Sequence, residues 1–154
     1  MKLKFLFIFF LCVQIYAQTL TGKVIGIKDG DTVVVIDTAK IQTTLRLAEV
    51  DCPEKAQAFG TKAKQFTSDQ VYLKEVKYKV TTTDRYGRSI AEVYYDNDKY
   101  LSAEIIKSGF GWQYKQYSTS KLLASLEQEA RNNKRGLWVE PNPIYPSLFR
   151  KKNN

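Results

Sequence analysis

Four short stretches of the chain gather residues able to act on a phosphate: Asp29-Gly30-Asp31-Thr32, Arg46-Leu47, Val50-Asp51-Cys52-Pro53-Glu54 and Asp84-Arg85-Tyr86-Gly87-Arg88. Taken singly, each has a plainer reading as a hairpin turn, a strand exit or a solvated arginine. Taken together in a barrel, they can bring three carboxylates, Asp31, Asp51 and Glu54, and two guanidinium groups, Arg46 and Arg88, into one cleft. Carboxylates brought close repel one another, so such a cluster costs stability unless a cation or arginines compensate it. Hard oxygen donors, with no histidine or paired thiolates among them, select Ca²⁺ or Mg²⁺ over zinc. Asp31 and Asp51 are the candidate ligands, with a backbone carbonyl at Cys52 and waters completing the shell, and the ion would polarise a phosphoryl oxygen. Arg46 and Arg88 present planar forks that match phosphate oxygens and would neutralise charge growing on phosphorus. Glu54, just past the ligands, is the candidate to orient or deprotonate an attacking water. The set fits hydrolysis of a phosphodiester.

Composition narrows the chemistry further. The chain has no histidine, which excludes a Ser-His-Asp triad, imidazole-ligated zinc and any nuclease with a histidine base. With a formal net charge of +8 it favours polyanionic partners, without choosing among nucleic acid, anionic lipid and acidic polysaccharide. Residues 1–17 read as an export leader: Lys2 and Lys4, then an apolar run from Phe5 to Val13, then Ile15-Tyr16-Ala17 ending on a small residue. The run falls short of the roughly 20 apolar residues that span a bilayer. Cleavage after Ala17 implies a secreted protein, extracellular or periplasmic, with no stable membrane association and still basic without Lys2 and Lys4. Cys52 is then the single cysteine, so stability must come from the core rather than from a disulfide.

The elements that must position the chemistry read mainly as strands. Leu20 to Lys28 and Thr32 to Asp37 flank Asp29-Gly30, a two-residue hairpin signal. Thr43 to Val50 sets Leu45 and Leu47 on one face and Arg46 on the other. Val76, Tyr78 and Val80 alternate with Lys77, Lys79 and Thr81, and Ser89 to Tyr95 follows a turn at residues 84–87. Helices are expected from about Gly60 to Leu73, over Leu101 to Ile106 with a glycine stop at Gly109, and from about Ser120 to Lys134. Five strands with a helix between the third and fourth give an α+β, mainly β, fold: an OB-fold five-stranded β-barrel with three helices. The domain runs over residues 18–139. Residues 140–154, with prolines at 141, 143 and 146 and the basic end Arg150-Lys151-Lys152, are expected to be an extended, partly mobile and solvated tail.

Asp-Gly-Asp-Thr, Arg-Leu, Val-Asp-x-Pro-Glu and Asp-Arg-Tyr-Gly-Arg, in this order and spacing, resemble the signature of the staphylococcal nuclease (thermonuclease) family. The likeness continues through Trp112-x-Tyr114-x-x-Tyr117, Glu127, Ala130-Arg131 and Gly136-Leu137-Trp138. It implies an OB-fold and Ca²⁺-dependent, sugar-non-specific cleavage of DNA and RNA to products ending in a 3′-phosphate. By the same resemblance, Arg46, Glu54 and Arg88 match the family's catalytic trio. Asp31, Asp51 and the backbone of Cys52 match its metal site, although threonine is frequent where Cys52 stands. Arg85, Tyr86, Tyr114 and Tyr117 match residues that contact phosphate and stack on bases, as suits single-stranded regions. A monomer is expected. A barrel that binds nucleic acid without cutting it would not need all of Asp31, Arg46, Asp51, Glu54 and Arg88. A surface protein holding polysaccharide or lipid by charge leaves the carboxylate cluster unexplained.

Overall fold

Runs of β-branched residues with alternating burial set the architecture, which a computed structural model describes for residues 18–153. The leader expected over residues 1–17 lies outside the described residues. Strands β1 (Thr19–Asp29), β2 (Thr32–Ile36) and β3 (Gln42–Leu47) form an antiparallel meander. Helix α1 (Gly60–Val71) intervenes before β5 (Glu75–Thr83), which returns beside β1, and β6 (Ser89–Tyr95) pairs with β5. A parallel pairing of β3 with β6, Leu45 opposite Ser89 and Arg46 opposite Ile90, closes the sheet into a five-stranded barrel. The expected OB-fold architecture is therefore present. Its interior is filled by Val24, Val33, Val35, Leu45, Leu47, Val76, Ala91 and Val93.

Two local expectations are corrected. The first hairpin turns on Gly30 and Asp31 rather than on Asp29-Gly30, because Asp29 still pairs with Thr32. Gly30 does not take the left-handed conformation that a tight primed turn demands of glycine. It is small because the barrel wall crowds it: a Cβ there would stand 2.9 Å from the Cβ atoms of both Cys52 and Ala63. The third strand also stops early. After Leu47 the chain turns, with Glu49 at φ 65°, and Val50–Asp51 become a separate short strand, β4.

The remaining elements buttress β4. Strand β7 (Lys99–Tyr100) extends β6 and leads into α2 (Leu101–Lys107), which ends near Gly109 in the left-handed conformation expected of it, φ 76°. Strand β8 (Trp112–Gln113) pairs with β4, placing Asp51 opposite Trp112. Helix α3 (Lys121–Asn132) is capped by the Ser120 hydroxyl, which accepts from the Leu123 amide. Its buried Glu127 accepts from the Gln113 amide at 2.7 Å and is paired with Arg131 one turn on, so α3 fixes β8 and through it Asp51. A 3₁₀ turn (Gly136–Val139) adds Leu137 and Trp138 to a second apolar cluster with Trp112 and Ala130.

The tail departs most from expectation. Residues Pro146–Asn153 form a helix, α4, not an extended segment. Proline at the first helical position loses no intrahelical bond, since the amide there has no partner in the helix, and its fixed φ suits the start of a helix. Pro146 is buried, and the preceding Tyr145 packs edge-on against Trp112 with ring centres 5.5 Å apart. No helix among the described residues is long and apolar enough to cross a membrane.

Candidate active site

The turn that carries Asp31 is held from behind by α1, where the Thr67 hydroxyl donates to the Gly30 carbonyl at 2.5 Å. Asp31 is thereby buried at the barrel rim. Its Oδ1 accepts from the Thr32 hydroxyl and its Oδ2 from the Cys52 amide at 2.9 Å, a bond that ties the first turn to β4. Asp51 lies across from it, fully buried, on β4.

Arg46 joins the two. From β3 its Nη1 donates to the carbonyls of Leu47 at 2.9 Å and Val50 at 3.0 Å, which brace the bend between β3 and β4. Its Nη2 lies 3.0 Å from Asp51 Oδ1 and 3.5 Å from Asp31 Oδ2. One guanidinium therefore bridges both candidate ligands. Burial works against the Arg46 charge, but Asp31 and Asp51 outweigh it and raise the group further above its ordinary value.

Negative charge is in excess here. Burial, then the neighbouring Asp31 carboxylate, push the Asp51 carboxyl up to about 6 despite Arg46 and a second arginine, Arg150. Asp29, at the end of β1, is also raised, by burial and then by Asp31 and Glu54. Two desolvated carboxylates that share one arginine are a donor set that suits a hard divalent cation. Among the described residues no group of three or more histidine, cysteine, aspartate or glutamate side chains gathers as a ready cage. An ion would have to be held by Asp31 and Asp51 together with carbonyl oxygens and water. The Cys52 thiol is not a ligand: it is buried between Gly30 and Gly111, and burial raises it well above its usual value, keeping it neutral. Any part Cys52 plays in holding an ion falls to its backbone.

Glu54 stands at the mouth of the site, its amide held by the Gln57 side chain. Its Oε1 accepts from Arg150 Nη1 at 2.5 Å. Arg88 is placed on the same rim but not in contact with the others. It stands one residue before the β6 positions that pair with Leu45 and Arg46, and its side chain is engaged by Asp84 within the turn, at 2.7 Å from both Nε and Nη2. Its charge still reaches Asp29. The structure thus brings Asp31, Arg46, Asp51 and Glu54 together and holds Arg88 beside them.

Arg46, Arg85 and Arg88 each have an aromatic companion. The Arg46 guanidinium lies 5.6 Å from the centre of the Tyr114 ring, and Tyr114 packs edge-on with Tyr117 at 4.8 Å. Arg85 and Arg88 both lie over Tyr86, at 4.8 and 5.6 Å, and Tyr86 and Tyr117 are each 68% exposed. Exposed rings beside guanidinium groups suit bases that stack while their phosphates are held.

Sequence reasoning missed Arg150. Besides Glu54, it reaches Asp51 Oδ1 at 3.5 Å and Oδ2 at 3.4 Å. The signal was present in the spacing, since a proline followed by eight residues without glycine or proline permits two helical turns.

Comparisons with known proteins follow the same lines. A family model described as Staphylococcal nuclease homologue matches residues 44–140. Arg46, Asp51, Glu54 and Arg88 fall inside that match, while Asp31 precedes it and Arg150 follows it. An uncharacterized endonuclease of Haemophilus influenzae is 41% identical over 132 residues, covering 86% of this chain and 74% of its own length. An uncharacterized endonuclease of Escherichia coli O157:H7 is 35% identical over 140 residues, covering 91% and 88%. A micrococcal nuclease of Shigella flexneri is 35% identical over 141 residues, covering 84% and 80%.

Proposed function

Because the chain belongs to the staphylococcal nuclease family and is a nuclease, we propose that it is a secreted, Ca²⁺-dependent endonuclease that hydrolyses both DNA and RNA to products ending in a 3′-phosphate. The observation that carries this reading is the Arg46 guanidinium bridging two buried carboxylates, Asp31 and Asp51, with Glu54 alongside.

Asp31 and Asp51 would hold the ion, which when bound polarises a phosphoryl oxygen and supplies positive charge as the phosphorus becomes pentacoordinate. Arg46 and Arg88 hold the remaining phosphoryl oxygens and are stronger partners for the transition state than for the ground state, because charge accumulates there. Glu54 orients a water for in-line attack and accepts its proton. The new P–O bond forms as the bond to the 5′ oxygen breaks, and that oxygen takes its proton from solvent, so the phosphate stays on the 3′ side. The groups of the site address phosphate and base rather than sugar, which supports action on both nucleic acids. Tyr86, Tyr114 and Tyr117 offer ring faces to unpaired bases, which favours single-stranded or frayed regions. One protomer supplies every group in the proposed site, so the reaction asks for no second copy.

Export matches this chemistry. Extracellular Ca²⁺ sites commonly operate at roughly 10⁻⁴–10⁻³ M, so a two-carboxylate site is idle at cytosolic Ca²⁺ and loaded outside. The test is digestion of supercoiled DNA and of RNA across a Ca²⁺ titration, with end-group analysis. Cleavage that requires metal and leaves 3′-phosphates is expected. Absence of cleavage with every divalent ion tried, or 5′-phosphate products, would overturn the reading.

A further inference from the structure

The residue that occupies the mouth of the site comes from the far end of the chain. Arg150 donates to Glu54 Oε1 at 2.5 Å and lies 3.5 and 3.4 Å from the two oxygens of Asp51. With Arg46 on Asp51 Oδ1 and the Cys52 amide on Asp31 Oδ2, protein donors already surround the oxygens that a cation would need. A second guanidinium and a divalent ion on the same carboxylate repel each other, so the Arg150 contact opposes loading of the site. The pairing of Arg150 with Glu54 also occupies one of the two carboxylate oxygens that an attacking water could use.

The tail is built so that this contact can open without losing its anchor. The Gln57 side-chain amide donates to the Ile144 carbonyl, and the Tyr145 ring packs on Trp112. Both contacts precede α4. Within the helix, Leu148 is 58% exposed and Lys151 and Lys152 are exposed, while Phe149 lines a shallow hollow with Phe59, Trp112 and Leu137. Arg150 thus reaches the site from a short helix that begins at the buried Pro146.

Resting on the Ca²⁺ reading above, we propose that α4 is a self-docked stopper: Arg150 stands in for the divalent cation on Asp51 and Glu54, and the ion must displace it to load the site. The two halves of the broken ion pair then serve different ligands. The cation takes the carboxylates, and the freed Arg150-Lys151-Lys152 run is available to the phosphates of the nucleic acid, so each ligand favours the binding of the other. The apparent Ca²⁺ affinity is the intrinsic affinity multiplied by the fraction of molecules in which the stopper is open.

Calorimetric titration of the full chain with Ca²⁺ alone tests this without reference to turnover. Arg150→Ala is expected to bind Ca²⁺ about tenfold more tightly than the parent, the lower end of what charge-assisted hydrogen bonds are worth. A chain ended after Tyr145, which keeps the Trp112 contact, should match it and decides the matter if Arg150→Ala folds poorly. Lys152→Ala removes the same charge from the same helix without the contact, and should change affinity by no more than about twofold because an exposed charge is screened. Equal or weaker Ca²⁺ binding by Arg150→Ala and the shortened chain, beside measurable binding by the parent, overturns the stopper and leaves the metal reading standing. Absence of Ca²⁺ binding by all of these chains overturns both. Equal tightening in Lys152→Ala would reduce the effect to bulk charge and also refute it.

Discussion

Replacing Asp51 by asparagine isolates the electrostatic strain at the centre of the site. Burial and the adjacent Asp31 push the Asp51 carboxyl from 3.8 to about 6. At 1.36 kcal/mol for each tenfold change in proton affinity, ionising this buried group costs the folded state on the order of 3 kcal/mol relative to the unfolded chain. The sign follows from proton binding. Between about pH 4 and pH 6 the folded protein holds a proton that the unfolded chain has released, so stability falls as pH rises through that window and stays at the lower level above it. An asparagine side chain in its place does not titrate. Replacing the neutral carboxyl by an amide shifts stability by an amount nearly independent of pH, whereas the fall between pH 4 and 6 disappears, because the pairings of the ionised carboxyl with Arg46 and Arg150 are already part of that shift. Urea unfolding of parent and variant across pH 4–7, in chelator, should show curves that converge or cross as pH rises. Ca²⁺ sharpens the comparison, because an ion that binds the ionised carboxylates reverses the penalty. At a concentration about 100 times its dissociation constant it adds about 2.7 kcal/mol to the parent at pH 7, and nothing comparable to Asp51→Asn. Parallel pH profiles for the two proteins would refute the charge-excess argument on which the metal assignment is built.

Two further outcomes follow from the geometry. Glu54→Gln and Arg88→Ala should each lower turnover by about 10²-fold or more with unfolding curves close to the parent's, in line with the loss of single catalytic groups; near-parent kcat would remove that residue from the mechanism. Gly30→Ala should destabilise by about 1–3 kcal/mol in denaturant unfolding, because a Cβ 2.9 Å from both Cys52 and Ala63 overpacks the wall behind Asp31, and a change under about 0.5 kcal/mol would show that the wall yields.

The barrel was legible because its signals are local and periodic. Alternation over Val76, Tyr78 and Val80 and the stripe through Leu123 and Ala130 depend on neighbours two to four residues away, and the strands and α3 appear where that spacing puts them. The acidic half of the site was legible for another reason: Asp31 and Asp51 lie in turns and strand exits whose polar residues have no place in a barrel core. What the local pattern does not carry is long-range. Asp29-Gly30 looks like a primed turn, but packing against α1 and Cys52 is what requires the glycine. Thr43 to Val50 looks continuous, but the pairing of Val50–Asp51 with Trp112–Gln113, and a left-handed Glu49 between, split it in two. The tail misled most, since three prolines in a basic segment suggest a solvated extension. Only the Trp112 face supplies the reason for Tyr145 to dock and for α4 to turn back.

The parallel seam between β3 and β6 has a bearing on when the protein becomes active. Arg46 lies on one side of it and Arg88 just outside the other, and the two strands come from distant parts of the chain. Bringing such partners together carries a loop-closure penalty that local hairpins avoid. During synthesis the first meander is complete well before β6 has emerged, so a nascent chain holds Asp31 and Arg46 but lacks their counterpart. A chain in which β3 has not yet met β6 therefore lacks the assembled site, and catalytic competence waits for that seam to close.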